Sequence, residues 1–403
     1  MKRRIFLLLI LVMIPVIPAR AETLKWVDFS VPYESLEYAM QVDIDTFEQE
    51  KHISWIDILA VAGCRSGGKC PLTAVRRAAE ELRSDRSVED ILGELSRYYH
   101  YYRQAYDAVL GGMLGSFAIE KDGQWFPSYG LKAFSPIASG YGYSHCDDFG
   151  VGRSFGFRRK HLGHDMMGSL GTPIVAVEGG VVEAMGWNRY GGWRIGIRSF
   201  DSKRYYYYAH LQKDTPFAPG LEEGDVVQAG DLLGFMGRTG YSDRENTNNI
   251  ETVHLHFGMQ LIFDESQKEC LSEIWIDVYD IVRLLNSHRS TLVKTDGTWQ
   301  RKFPYRDLDT EEWTGEDCLS RCSISAPEDI PWYKPRQEPC FLPFKEAGYG
   351  KHLSGHSETD RRQYLHWCGW PRSHRKIYPD QADHGKTGHS LHSGPLPGRA
   401  GEG

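Results

Sequence analysis

The sequence predicts a multidomain α+β protein: an N-terminal helical domain, an antiparallel all-β domain, and a poorly structured C-terminal tail. Three observations predict it. Residues 30–111 carry apolar side chains at three- and four-residue spacing, as helices with one buried face require. From about Ile137 to Phe263 the texture changes to short β-branched and aromatic runs separated by glycine, the pattern of antiparallel strands and tight turns. Residues 351–403 hold seven of the 16 His, much Gly, Ser and Pro and few aliphatics, too little apolar material to offset chain entropy.

The elements follow in order. Residues 1–21 join a basic start, an apolar run from Ile5 to Ile17 and the ending Ala19-Arg20-Ala21, which reads as a secretory signal cleaved before Glu22. The run is short for a membrane span and Pro15 interrupts it, so no stable membrane insertion is expected after cleavage. The helical domain occupies 22–111, with Tyr33–Gln49, Ser54–Ala62 and Thr73–Leu82 as its periodic segments. Ser87 caps a further helix, with Asp90 three residues on. The aromatic run Tyr98–Tyr106 reads as a packed face rather than a sugar-stacking stripe. Residues 112–136 form a connector, 137–264 the β domain, and 265–295 a closing segment with a helix over Trp275–Leu292. Residues 296–403 complete the tail, expected to be largely disordered.

Composition narrows the function classes. The 403 residues are 41% hydrophobic and 25% charged, with 47 Lys and Arg against 54 Asp and Glu. A net charge of −7, falling to −11 once residues 1–21 are removed, lacks the basic excess of a nucleic-acid binder. Eight Cys are too few for a disulfide scaffold, although export permits disulfides. Cys64 and Cys70 bracket a short loop and are the expected pair. Cys318, Cys322, Cys340 and Cys368 suit disulfides, the plainer reading, a tail zinc site, or unpaired thiols.

Histidine and aspartate concentrate in three segments of the β domain. These are His161-Leu162-Gly163-His164-Asp165, Tyr208-Ala209-His210-Leu211 and His254-Leu255-His256-Phe257. On a strand, His254 and His256 emerge on one face and can share a task around one metal. Gly163 lets a tight loop turn His161 and Asp165 toward one point, although His164 would serve as well as His161 on spacing. Three N/O ligands with a fourth position open to water is the arrangement of a catalytic zinc. His145-Cys146-Asp147-Asp148 reads as a surface loop, because contiguous residues cannot all converge on one ion.

With these segments in place, residues 152–258 resemble the lysostaphin-type (LytM-like) zinc metallopeptidases, which act on bacterial peptidoglycan. The resemblance rests on His161-x-Gly163-x-Asp165, Gly171-Thr172-Pro173, Gly179-Gly180-Val181-Val182 and Tyr208-Ala209-His210-Leu211. Gly224–Gly230, Gly237-Arg238-Thr239-Gly240 and the final His254-x-His256 strand complete it. His164 stands where the family often has an apolar residue. The resemblance implies a lysostaphin-like catalytic fold and one zinc ion, held by His161, Asp165 and His256. It makes His210 and His254 the catalytic pair, with Tyr208 near the site. It also implies a secreted or envelope-associated zinc metalloendopeptidase whose partners are peptidoglycan peptides. The alternative is a non-catalytic cell-wall binding or hydrolase-activating module of the same fold, against which all five filled polar positions weigh. The motif order does not suit a zinc amidase. Nothing in the chain sets an oligomeric state.

Overall fold

The computed structural model describes residues 27–154, 158–268 and 272–309. The expected signal segment and the cysteines at 318, 322, 340 and 368 lie outside the described residues, as does the tail beyond Asp309.

Six α-helices are present among the described residues: α1 (Tyr33–Thr46), α2 (Trp55–Ser66), α3 (Leu72–Leu82), α4 (Val88–Leu92), α5 (Tyr99–Leu110) and α6 (Tyr279–Leu285). Local signals account for their ends. The Ser54 hydroxyl accepts from the Ile56 amide at the start of α2, and Gly67 in the left-handed conformation ends it. Ser87 and Asp90 form a reciprocal capping box on α4. Helix α2 is almost wholly buried and forms the centre of the helical layer. Tyr106 of α5 is fully buried, and its hydroxyl donates to the Gly68 carbonyl at 3.2 Å; Tyr99 and Tyr102 pack partly against the core, whereas Tyr98 is exposed, so only part of the aromatic run packs as expected. No helix of the described residues is long and apolar enough to cross a membrane.

The largest sheet is antiparallel, in the order Val226–Val227, Gly180–Asn188, Gly192–Ser199, Arg204–Ala209, His254–Leu261, His164–Met167 and Ser144–His145. The central strand His254–Leu261 pairs along one edge with Arg204–Ala209. Its other edge is shared: residues 254–257 pair with 164–167, and 259–261 pair with Ile274–Ile276. One face of this sheet carries Ile195, Ile197, Tyr206, Tyr208, Leu255 and Phe257 into the core. That core is continuous with the helices' own, from Val27 through Leu110 to Leu285, so the helical region and the sheet share one apolar interior. Arg204, fully buried, fastens the two. Its guanidinium bonds the Glu178 carboxylate at 2.7 and 3.0 Å, Asp201 at 2.9 Å and the Ala108 carbonyl of α5 at 2.9 Å.

Four expectations need correction. The connector at 112–136 contains a full hairpin, Leu114–Lys121 against Gln124–Leu131, whose apolar residues 117 and 119 alternate into a small core. Residues 296–309 of the expected tail are ordered. The strand Thr298–Arg301 pairs with Leu292–Thr295, and Tyr305–Asp307 pairs with the first strand of the hairpin. Buried Lys132 neutralises Asp307 at 2.9 Å and Asp309 at 2.7 Å, which makes ordering these residues worthwhile. The closing helix is only α6, because 274–276 is drawn into the sheet. Cys64 and Cys70 are free thiols, both buried, and burial pushes each up to about 11. Cys70 Sγ instead points to the Leu59 carbonyl and the Tyr106 hydroxyl.

Candidate active site

The site lies on the sheet face opposite the core, where strand parity places its side chains. Residues directly opposed in an antiparallel pair share a face. His256 opposes Ala209 on one side and Asp165 on the other, so His256 and Asp165 project together. His164 opposes Phe257 and therefore points to the buried face, where its Nε2 meets Nδ1 of His145 at 2.8 Å. Burial first, then His145, pushes the His164 imidazole down to about 3. The choice between His161 and His164 is thus made by pleat.

His161 precedes the strand and reaches back to it. Its Nδ1 donates toward the Asp148 carbonyl at 3.2 Å and the Asp148 carboxylate at 3.1 Å, which leaves Nε2 for the site. There Nε2 stands 3.0 Å from Asp165 Oδ1 and 3.0 Å from His256 Nδ1, and the latter two are 2.9 Å apart. Three electron-pair donors so close repel one another unless a cation or a proton lies among them. Two imidazole nitrogens and one carboxylate oxygen are the donor set that suits a zinc ion. Burial raises Asp165, but hydrogen bonds from His161 and His256 and the charge of His256 outweigh it and hold the carboxyl well below its usual range. Burial likewise opposes the charge of His161, yet Asp165 and Asp148 hold it above the ordinary imidazole value. The Arg153 guanidinium bonds Asp148 and lies 3.6 Å from Asp165 Oδ2, so the Asp165 carboxylate is steadied from behind.

His210 reaches the same cleft by a backbone device. Strand alternation alone would send it with Tyr206 and Tyr208 into the core. It sits at the strand end with φ of 61°, which turns the ring to the other face. Its Nδ1 donates to the Thr239 carbonyl at 2.8 Å. Gly192, at φ 65°, permits that contact, since a Cβ there would lie 2.4 Å from the Thr239 carbonyl carbon. His254 Nδ1 donates to the Thr252 carbonyl at 2.9 Å. With Nδ1 so engaged, both rings leave Nε2 for the cleft, and their centroids are 4.7 Å apart. Burial, then the neighbouring His254 and His256, hold His210 well below the usual imidazole range, so it stays neutral at neutral pH.

All five candidate residues line one open cleft. Two placements differ from expectation. Tyr208 is in the core, where its hydroxyl accepts from the Val177 amide, and it is Tyr207 that lines the cleft, edge-on to His256. His145 and Asp148, read as a surface loop, act behind the site through His164 and His161. Sequence reasoning missed Tyr207, Tyr190, Tyr241, Arg153 and Arg159 on the cleft wall. Only the odd-numbered parity of Tyr205–Tyr208 offered a signal for any of them.

Sheet, cleft and donors together define a β protein with a candidate cation site of two histidines and one aspartate, flanked by the imidazoles of His210 and His254. Residues 159–268 match the model of Peptidase family M23. The chain is 36% identical over 183 residues to the L-Ala--D-Glu endopeptidase of Bacillus subtilis (strain 168), covering 42% of this chain and 54% of that protein. It is 32% identical over 139 residues to lysostaphin of Staphylococcus simulans, covering 34% of this chain and 23% of that protein. Among solved structures, the catalytic domain of lysostaphin from Staphylococcus simulans is 28% identical with a TM-score of 0.27, covering 35% of this chain and 92% of that one. The chain thus spans about half the length of the Bacillus relative and under a quarter of full-length lysostaphin.

Proposed function

We propose that the chain is an exported zinc-dependent endopeptidase that hydrolyses peptide bonds in the stem or cross-bridge peptides of bacterial peptidoglycan. The observation that carries this reading is the pairing of a His161–Asp165–His256 donor triangle with two imidazoles whose Nε2 atoms face the same cleft. The M23 match and the endopeptidase named among its relatives support it.

Zinc, when bound, supplies Lewis-acid polarisation of the scissile carbonyl and acidifies a coordinated water. The chain's own residues supply the rest. His210 or His254, each pinned at Nδ1, accepts a proton from the attacking water at one ring. The other ring stabilises the oxyanion or protonates the departing amine. Asp148 and Arg153 keep the ligand His161 and Asp165 in register through this exchange. Tyr190, Tyr207 and Tyr241 wall the cleft and limit water at the reacting bond.

Expression of the full chain, measurement of bound zinc and mass spectrometry of digested sacculi test the proposal. Stoichiometric zinc and new amino termini within the peptide are expected. Free lactyl groups with intact peptides would indicate an amidase instead. Absence of both zinc and products would favour a hydrolase-activating module.

A further inference from the structure

One cation in the cleft has no part in the proposed chemistry. Arg159 lies on the strand Arg158–Lys160 and lines the cleft with the donor triangle. Arg153 stands directly opposite it across the hairpin. Like charges so opposed weaken a strand pair, so the fold gains nothing from holding both. Arg153 is neutralised by Asp148 and Asp165. Arg159 has no carboxylate within ion-pair distance among the described residues, and its Nε is buried without a hydrogen bond. The guanidinium lies against two aromatic rings that also meet each other edge to face, 5.0 Å from the Tyr241 centroid and 5.7 Å from that of Tyr190. Among the described residues the sole carboxylate on the cleft wall, Asp165, is already committed to His161 and His256.

A half-buried, oriented guanidinium with no carboxylate within ion-pair distance among the described residues is completed by an anion from outside, and its planar fork matches a carboxylate. We propose that Arg159 binds a free carboxylate on a residue flanking the scissile bond, so that the cleft selects acidic stem peptides over neutral oligoglycine bridges. A γ-linked D-glutamate offers such a group, because its α-carboxylate takes no part in the chain. The inference rests on the peptidase reading above and sharpens its substrate class.

The test uses the full-length zinc-loaded protein and two synthetic stem peptides that differ only in a carboxylate or a carboxamide at the α-position of the γ-linked residue. Turnover is measured for wild type, R159Q and R159K, and equilibrium binding of both peptides is measured on H210A by calorimetry. Wild type should prefer the carboxylate peptide by roughly tenfold or more, and H210A should show the same preference in binding. In R159Q the preference should collapse toward unity with zinc content intact, and R159K, which keeps charge without the fork, should fall between. Equal binding and equal turnover of the two peptides by protein with native Arg159 overturns the inference, whatever the variants' folding. A preference that survives R159Q overturns it as well. Carboxylate-selective binding with no cleavage would sink the peptidase reading while upholding the carboxylate site.

Discussion

Replacing Gly163 with alanine tests the geometry of the proposed metal centre at its tightest point. A Cβ at this position would lie 2.5 Å from His256 Nε2, 2.6 Å from His256 Cε1 and 3.0 Å from the Phe257 carbonyl oxygen. Ordinary contact begins near 3.4 Å, so the ring or the loop must give way by about 0.9 Å. Gly163 does not use the left-handed backbone region, and alanine would bring no conformational strain of its own. The whole effect should therefore pass through His256. Its Nδ1 is one corner of the donor triangle, and metal–ligand distances tolerate displacements of only about 0.2 Å. We expect G163A to lower zinc affinity by roughly 10- to 100-fold, as losing a ligand's support does. Overpacking should also cost about 1–3 kcal/mol of stability. Competition against a chromogenic chelator reads the first, and urea unfolding of the metal-free protein reads the second. Zinc affinity within twofold of wild type, with unchanged unfolding, would refute the steric account of this glycine.

Other perturbations separate the roles of neighbouring residues. H256A should lose both zinc and activity, whereas H210A should keep zinc by elemental analysis and lose turnover; activity in H210A would remove its proton-transfer role. Arg204→Met strands Glu178 and Asp201 at the junction of α5 and the sheet, and should cost about 3–5 kcal/mol in urea unfolding. A loss below about 1 kcal/mol would show that the junction does not depend on this ion pair. His288, stacked on Phe134 with centroids 4.1 Å apart, is pushed down to about 4 by burial. The unfolded chain, at the ordinary 6.5, binds the proton first, so this contribution is intact above that pH and is lost as pH falls from 6.5 to 4. The loss totals about 3 kcal/mol, and H288Q should show a shallower decline over that window. Parallel declines in the two proteins would count against it.

The site was legible wherever a local period decides facing. His254 and His256 share a face because strands alternate, and that follows from two letters of spacing. His161 against His164 was not decidable, because the answer depends on which strand edge Asp165 occupies and which face the helices cover. Tyr208 was misplaced for the same reason. The motif puts it next to His210, yet the positive φ of His210 breaks the alternation that would have aligned them. Arg159 gave no signal at all, since its meaning lies in which carboxylates are already engaged. The hairpin at 114–131 escaped notice because its glycines and aromatics resemble loop composition, and its partner strand is distant in sequence. Helical periodicity and the Ser87 cap, both local, read correctly.

That distant partner has a consequence for how the chain is made. Phe117 and Asp307, about 190 residues apart, are neighbours across a strand pair. On a ribosome the hairpin and α5 emerge long before the strand that seals them, and Lys132 waits as long for both of its carboxylates. Until then the hairpin shows an unpaired backbone edge, the kind of surface other strands attach to. Closing so long a loop is slow, and the apolar core must hold the intermediate together meanwhile. Tyr305–Asp307 therefore acts as a late stitch, and a chain halted before it would leave the assembly line with an adhesive border.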